Sequence, residues 1–300
     1  MGLAQHSTFV LVCIGKTRQE WRWKDRTTMQ AAHVPTGVLK PAGLGSAFTL
    51  ERFAPSADLH RVVLRYWTVA WDVPEQVPYT QATLPYPCVN LVVEQGRSGV
   101  FGVNTRRFEV QLVGKGRVFG IKFRPGAFYP FYRAPVATLT DRVIGLNAAF
   151  GAAGSAYERS VLACASVDEM IACAEQFLRA RLPPPDERVD LINSVIEQIA
   201  TDRTITRVAM LANCAGLSRR TLQRLFAQYV GVSPKWVIRR YRLLEAADQL
   251  ANHAPVDLPA LAQALGYFDQ AHFINDFRAT VGSTPAEYAR HPGATTDSTV

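Results

Sequence analysis

The spacing of hydrophobic positions changes along the chain and separates a strand-like part from a helical part. Between residues 46 and 135, short runs of β-branched and aromatic side chains alternate with turn residues, which is typical of strands. These runs are Val62–Val73, Val89–Val93, Gly99–Val103, Phe108–Val113 and Arg117–Phe123. Residues 138–182 are richer in Ala, Leu, Glu and Arg, and Val167–Leu182 has the apolar spacing of an amphipathic helix. The pattern predicts an α+β fold for the N-terminal part.

Three consecutive prolines, Pro183–Pro185, mark the clearest boundary in the chain. Proline is excluded from helix interiors, and a run of prolines makes a stiff spacer. After them, Val189–Ala200 carries apolar side chains on one helical face, and the remaining sequence is helix-like. The predicted organisation is a multidomain α+β protein. Its segments are a flexible N-terminal extension (1–45), a mixed α/β domain (46–182), a Pro-rich linker (183–187), an all-α domain (188–291) and a disordered tail (292–300).

The all-α domain contains an internal repeat with an offset of 50 to 51 residues. Three short patterns recur in the same order: Leu211-Ala212-x3-Gly216 as Leu261-Ala262-x3-Gly266, Leu222-x3-Phe226 as Phe273-x3-Phe277, and Gly231-x-x-Pro234 as Gly282-x-x-Pro285. One residue inserted after Gly266 accounts for the change of offset. Such self-similarity indicates two copies of one supersecondary unit.

Each copy has the sequence features of a helix-turn-helix unit. A small residue, Ala212 or Ala262, allows the second helix to pack closely, and the glycine four residues later suits a helix end with positive φ. Ser218 and Asp269 are suited to cap the second helix at its N-terminus. One side of that helix is apolar and predicted to be buried, whereas the polar side enters the major groove of DNA in such units.

The polar sides of the two second helices supply the candidate DNA-binding residues. Arginine pairs with guanine, glutamine and asparagine with adenine, and isoleucine contacts the thymine methyl group. The candidates are Arg219, Arg220, Gln223 and Arg224 in the first unit, Lys235 and Arg239 just after it, and Gln270, Ala271, His272, Ile274 and Asn275 in the second unit. The competing interpretations are a solvated helix face for these side chains and a surface or packing role for His272.

Charge supports the first unit more than the second. The chain has a formal net charge of +8, which fits an anionic partner such as nucleic acid. Between Arg203 and Leu244 there are nine basic and no acidic residues, which predicts a phosphate-binding surface: Arg203, Arg207, Arg219, Arg220, Arg224, Lys235, Arg239, Arg240 and Arg242. Residues 186–300 as a whole contain 12 basic and 12 acidic residues, so the basic charge is concentrated on the first unit and the connector.

A single connecting helix is predicted over Pro234–Asn252, where several apolar side chains face both units. At about 1.5 Å per residue, such a helix spans roughly 25–30 Å. Successive major-groove faces lie ~34 Å apart along DNA. One chain is therefore expected to place two reading helices about one helical turn apart.

These residues resemble the AraC/XylS family of bacterial regulators over about 189–291. The resemblance rests on Gly216-Leu217-Ser218 with Leu222-Gln223-Arg224-x-Phe226, on Gly231-Val232-Ser233-Pro234, and on Leu261-Ala262-x3-Gly266-Tyr267-x-Asp269-Gln270-x-His272-Phe273-x3-Phe277 with Gly282-x-x-Pro285-x-x-Tyr288. It implies sequence-specific promoter binding and frequently activation. By position, the family's base-reading residues fall on Arg220, Gln223, Arg224, Gln270, Ala271, Ile274 and Asn275. The family often has arginine where this chain has Asn275, which puts base contact by the second unit in doubt.

The N-terminal part resembles a sensor-type domain found ahead of such DNA-binding units, on the cues Phe53-x-Pro55-Ser56, Tyr66-Trp67 and Gly120-Ile121-Lys122-Phe123-Arg124-Pro125-Gly126. A ligand pocket is predicted there, with aromatic side chains for stacking and an arginine for an anion. Its candidate ligand-binding residues are Trp67, Tyr86 and Arg124, together with Tyr66, Trp71 and Phe123. The alternative is that these aromatic residues only fill a small β core.

Enzyme chemistry finds little support in the sequence. No metalloprotease, nucleophile-elbow or phosphate-loop motif is present, and the six histidines do not cluster as metal ligands. The five cysteines are scattered and odd in number, so a disulfide framework is not expected. Cys88 has two interpretations, a core residue or a thiol that accepts alkyl groups from DNA. No apolar run reaches the roughly 20 residues of a membrane helix, so a cytoplasmic protein is expected.

The sequence therefore predicts a non-enzymatic transcription regulator without metal or cofactor. Its expected partners are double-stranded promoter DNA, RNA polymerase, a small-molecule effector and a second copy of the chain. Two other classes stay open, a repair protein or enzyme with an added helix-turn-helix domain and a protein–protein adaptor. The effector, the promoter, the direction of regulation and the start at Met1 or Met29 also stay open.

Overall fold

Two antiparallel sheets face each other in the N-terminal part of the computed structural model, which describes residues 38–39, 48–74, 76, 79–252 and 256–290. One sheet has three strands in the order β1-β4-β7, and the other has six in the order β2-β3-β8-β5-β6-β9. In chain order the strands are β1 (Val38–Leu39), β2 (Phe48–Phe53), β3 (Val63–Val73), β4 (Tyr79–Thr83), β5 (Asn90–Glu94), β6 (Gly99–Phe101), β7 (Phe108–Leu112), β8 (Gly114–Phe123) and β9 (Val143–Ile144).

Side chains of the large sheet point alternately to its outer face, which the helices cover, and to its inner face, which faces the small sheet. Tyr66 and Phe123 point to the outer face and are fully buried there beneath short helices, together with Phe177. Their neighbours Trp67 and Lys122 point to the inner face, toward the small sheet. The covering helices are α1 (Tyr129–Tyr132), α2 (Leu146–Phe150), α3 (Ala152–Ala163) and α4 (Val167–Arg179), with 3-10 turns at Ala57–Leu59 and Val136–Leu139.

The predicted strand runs correspond to β3, β5, β6, β7 and β8, and the amphipathic helix corresponds to α4. Strands β2 and β4 have no predicted counterpart because their sequences, Phe48–Phe53 and Tyr79–Thr83, mix polar with apolar residues on both faces. The extension predicted for 1–45 is wrong at Val38–Leu39, which pairs with Thr83 and Ala82 of β4. Its remaining residues and the tail predicted for 292–300 lie outside the described residues.

The C-terminal part is helical from Glu187 onward. Asp186 caps the first helix by accepting a hydrogen bond from the Arg188 amide at 2.9 Å, so that helix begins one residue before the predicted domain boundary. The helices are α5 (Glu187–Thr201), α6 (Val208–Cys214), α7 (Arg219–Leu225) with a π-helical turn at Phe226–Val230, α8 (Pro234–Asn252), α9 (Leu258–Ala264), α10 (Gln270–Val281) and α11 (Pro285–Arg290).

Helix α8 is shared between two hydrophobic cores. Its first half contributes Val237 and Ile238 to the core formed with α5, α6 and α7. Its second half contributes Leu243, Leu244 and Leu250 to the core formed with α9, α10 and α11. The connecting helix predicted for Pro234–Asn252 is thus confirmed, and its burial on two sides makes it the common support of both units.

The N-terminal and C-terminal parts are in direct contact on both sides of the proline stretch. Val103 and Ala127 belong to the same core as α5, and Asn193 Nδ2 on α5 donates to the carbonyl of Pro125 at 3.1 Å. Thr140 Oγ1 donates to the carbonyl of Gly231 at 2.6 Å. Pro183–Pro185 therefore connects two regions that share part of a core.

A buried arginine ties α8 to the end of α5. Arg242 is only 2% exposed and donates to Glu245 Oε2 at 2.7 Å, to the carbonyl of Asp202 at 3.1 Å and to the carbonyl of Ile199. Burial lowers the pKa of its guanidinium, and the nearby Glu245 carboxylate opposes that shift. The C-terminal carbonyls of α5, which lack partners within their own helix, are satisfied in this way.

Replacing this side chain by an apolar one of similar length tests its structural role. Arg242→Met is expected to lower the free energy of unfolding by about 3 kcal/mol or more, because it leaves buried acceptors unpaired. The matched control is Arg203→Met, since the exposed Arg203 contacts the same Glu245 at 3.2 Å, and a surface ion pair contributes only ~0–1 kcal/mol. Urea unfolding measures both variants, and equal losses would contradict the assignment.

Candidate nucleic-acid interface

The two copies of the repeat have the same backbone turn after their first helix. The Leu217 amide donates to the Ala212 carbonyl at 2.9 Å, and the Tyr267 amide donates to the Ala262 carbonyl at 3.0 Å. The glycines just before these amides have φ values of +63° and +81°. These are Schellman turns, which favour glycine because the left-handed conformation crowds a Cβ atom.

The second helices of the two copies are capped as predicted. Ser218 Oγ accepts from the Thr221 amide at 3.1 Å at the start of α7. Asp269 Oδ1 accepts from the His272 amide at 2.7 Å at the start of α10. The predicted apolar stripes are buried, with Leu222 and Phe226 in the first copy and Phe273 and Phe277 in the second. Both copies therefore have the predicted helix-turn-helix arrangement.

The candidate base-reading side chains of the first unit lie at the surface. Arg219, Arg220, Gln223 and Arg224 are all exposed on α7. Within the described part of the chain, none of these four side chains makes a hydrogen bond or an ion pair that would hold it against the protein. Their donors are consequently available to an external partner.

The second unit exposes a less basic surface. Ala271, His272 and Asn275 are exposed on α10, whereas Gln270 and Ile274 are partly buried. Ile274 packs against the core of its own unit, and the His272 ring meets the Tyr267 ring edge-on at 5.2 Å. Ile274 and His272 thus each contact their own unit while part of the side chain remains at the surface.

The predicted phosphate-binding surface is smaller than its sequence indicates. Arg240 and Arg242 are only 3% and 2% exposed, so counting both as surface charges was wrong. Arg240 lies over the Trp236 ring at 5.0 Å, and burial together with Arg239 lowers its pKa to about 10. Of the nine basic residues predicted for this surface, five are exposed and form no ion pair with the described residues: Arg207, Arg219, Arg220, Arg224 and Lys235.

Arg239 connects α8 to α10. It forms an ion pair with Asp276 of α10, whose side chain is 6% exposed. The same carboxylate accepts a hydrogen bond from Tyr267 Oη at 2.8 Å. Because Arg239 remains 45% exposed, it stays a predicted DNA contact, but Asp276 offsets much of its charge and gives it a positioning role.

A cavity of about 260 Å³ separates the two sheets of the N-terminal part. Trp67, Trp71 and Tyr86 line it, but Arg124 does not. Arg124 follows the end of β8 and donates to the carbonyl of His60 at 2.5 Å, which places it outside the cavity in which its anion contact is predicted. Tyr66 and Phe123 also lie outside the lining, because alternation turns them to the outer face of the sheet.

Three cationic residues of this cavity were missed by the sequence analysis. Arg52, Arg65 and Lys122 line it, on β2, β3 and β8 respectively. The alternation Arg65-x-Trp67-x-Val69-x-Trp71 places an arginine on the inner face with the aromatic residues. This alternation in the sequence could have identified Arg65 as a residue of the cavity.

Cys88 lies in the cavity wall but is only 4% exposed. Burial raises the pKa of its thiol, which disfavours the thiolate that an alkyl acceptor needs. Over the described residues, no group of histidine, cysteine and carboxylate side chains is arranged to hold a metal ion. The helices described also include none with the length and apolar composition needed to cross a bilayer.

Comparison with protein families divides the chain in the same way. Residues 211–291 match a family described as a helix-turn-helix domain. Residues 51–145 match a family described as a domain of unknown function (DUF6597). The first match covers both helix-turn-helix units, and the second covers most of the sheet region.

Two individual relatives match about a third of the chain. The chain is 35% identical over 103 residues to the HTH-type transcriptional regulator GlxA of Rhizobium meliloti, a match that covers 34% of this chain and 31% of that protein. It is 34% identical over 85 residues to a putative AraC-like transcription regulator of Streptomyces antibioticus, over 28% of each chain. The chain thus spans less than a third of the length of these relatives.

Among solved structures, a probable AraC family transcriptional regulator from Rhodopseudomonas palustris is 26% identical, with a TM-score of 0.31. That match covers 34% of this chain and 95% of the other.

The two Schellman glycines give a matched test of the contact between the units. Gly216→Ala is expected to cost about 1–2 kcal/mol, because alanine disfavours positive φ although the site is open. Gly266→Ala should cost more, since its Cβ would lie 2.6 Å from Thr206 Cβ, just before the first unit. Urea unfolding of both variants measures the difference, and equal costs would argue against close packing at Gly266.

Proposed function

We propose that this chain, whose residues 211–291 form a helix-turn-helix domain of the AraC type, is a sequence-specific DNA-binding transcription regulator. The observation that carries the proposal is the pair of equivalent units, each with a Schellman turn, a capped second helix and an exposed face on that helix. A helix of this kind enters the major groove through the first turns of its exposed face.

The first unit is proposed to supply most of the reading and most of the electrostatic attraction. Arg220, Gln223 and Arg224 have the hydrogen-bonding groups that read guanine and adenine edges. Arg207 and Lys235 flank α7 and are proposed to contact phosphates together with Arg219. Arg220, Gln223 and Arg224 have no hydrogen-bonding partner among the described residues, which supports this division.

The second unit is proposed to contribute weaker reading. Gln270 and Asn275 offer amide groups that suit adenine, whereas Ile274 and His272 are partly engaged in packing. The ion pair between Arg239 and Asp276 supports a fixed orientation of α10 on α8. Because α8 has 19 residues, its length of about 28 Å is close to the spacing of adjacent major-groove segments.

The N-terminal cavity is proposed to bind a small molecule that modulates DNA binding. Two contacts support communication with α8. The rings of Tyr86, in the cavity wall, and Tyr241, on α8, meet edge-on at 6.3 Å. Asn104 also lines the cavity, and the carbonyl of the next residue, Thr105, accepts from Trp236 Nε1 at 3.4 Å. RNA polymerase and a second copy of the chain stay predicted partners.

A protein–protein adaptor with the same fold is the competing function, and substitution on α7 separates the two. DNA selected from a random library by the full chain serves as the probe. The double change Arg220→Ala, Arg224→Ala is expected to weaken binding to it by at least ~30-fold, since each bidentate base contact contributes about 1–3 kcal/mol. Fluorescence anisotropy measures the affinity.

The control is Arg159→Ala, which removes an exposed arginine from α3 and should leave the affinity unchanged. Arg207→Ala should instead reduce the slope of log affinity against log salt by about 1, as expected for a phosphate contact. Unchanged binding by the double variant would contradict the proposed function and favour the adaptor.

A further inference from the structure

Strand register orders the inner wall of the cavity into layers. Arg65 pairs with Lys122, which in turn pairs with Asn90, so these three side chains form one end layer. The next layer contains Arg52 opposite Trp67. Leu50, Val69, Val118 and Glu94 form the third layer, and Phe48 and Trp71 the fourth. The cavity therefore has a cationic end and a largely apolar body.

The cationic end has no counterion among the residues that the structure describes. Arg65 and Lys122 are like charges directly opposite each other, an arrangement that destabilises a sheet. Among the described residues, no carboxylate lies within ion-pair distance of Arg52, Arg65 or Lys122. The Lys122 ammonium lies 4.3 Å from the centre of the Tyr86 ring, a contact that partly replaces lost hydration.

The acid of the cavity wall lies at a distance from this cluster. Glu94 is four residues beyond Asn90 on β5, which corresponds to about 13 Å along a strand. Burial raises the pKa of Glu94, while Arg97 acts in the opposite direction. Glu94 therefore does not neutralise the cationic end, and the described residues offer no other carboxylate in the cavity wall.

The body of the cavity suits an apolar group. Trp67 packs against Gly120 of β8, where a Cβ atom would lie 2.1 Å from the indole ring. Phe108 and Val110 of β7 face it from the small sheet. A volume of about 260 Å³ is just below the ~300–1,000 Å³ of common small-molecule sites, which indicates a small ligand.

We propose that the cavity binds a small organic anion, with its carboxylate or similar group between Arg65, Lys122 and Arg52 and its apolar body along Trp67 and Val69. This inference rests on the proposed function in that it names the chemical class of the effector. Charge-assisted hydrogen bonds from the two arginines and the lysine hold the anionic group. An anion bound between Arg65 and Lys122 offsets the repulsion between these two cations.

The charge of Lys122 gives the site a pH dependence. Burial, with further contributions from Arg65 and Arg52, lowers the pKa of Lys122 to about 8, and Cys88 opposes the shift. Lys122 is therefore mostly charged at pH 7 and mostly neutral at pH 9. Tyr86, whose pKa is raised to about 12, stays neutral in this range. Anion affinity is expected to fall as the pH rises from 7 to 9.

The test uses the full chain and two matched probes, 4-phenylbutanoate and its uncharged amide, in titration calorimetry. The carboxylate is expected to bind at least ~10-fold more tightly than the amide, because a charge-assisted hydrogen bond contributes about 1.5–3 kcal/mol. Lys122→Met should weaken this preference, because only Arg65 and Arg52 remain to hold the carboxylate, while leaving thermal stability equal or higher, since it relieves the repulsion with Arg65. Arg159→Met, on the surface of α3, should change neither result.

One further variant and one further probe make the result decisive. Lys122→Arg should retain the preference for the carboxylate but lose its pH dependence between 7 and 9. Equal affinity for both probes would overturn the proposal, and so would inorganic phosphate that displaces the carboxylate at equal concentration. If the carboxylate binds as expected but DNA affinity does not respond to it, the ligand class stands and the proposed effector control fails.

Discussion

The burial of α8 on several sides is the constraint on which the rest of the structure depends. Its first half completes the core of one helix-turn-helix unit and its second half completes the core of the other. A third side meets the N-terminal part, through Tyr241 against Tyr86 and through Trp236 against the loop at Thr105. Closely packed cores resist gradual deformation. A helix buried in both cores therefore fixes the position of one unit relative to the other.

Internal charge pairing explains why basic residues of one segment have different roles. Arg242 satisfies carbonyls at the end of α5, and Arg239 holds α10 through Asp276. Only the residues outside these contacts, such as Arg220 and Arg224, keep their donors for an external partner. The cavity shows the opposite case, in which Arg65 and Lys122 are brought together without any counterion from the described chain.

Local signals in the sequence predicted much of the helical part. Glycine at a helix end, serine or aspartate as an N-cap and apolar residues at helical spacing each act within a few residues, so Gly216, Ser218 and Leu222 could be interpreted without a structure. The burial of Arg240 and Arg242 and the exclusion of Arg124 from the cavity depend on contacts between distant segments. Strand β4 faces the cavity and not a closely packed core, so its sequence has too few apolar residues at alternate positions to predict a strand.

The proposed fixed separation of α7 and α10 by α8 is tested most directly by changing the spacing of the DNA half-sites. A selected DNA site is lengthened between its two half-sites by 5 base pairs, about half a helical turn, which moves the second half-site to the opposite face of the duplex. The affinity of the full chain is then expected to fall to that for DNA carrying the first half-site alone. An affinity equal to that for the unaltered site would contradict a rigid tandem arrangement of the two units.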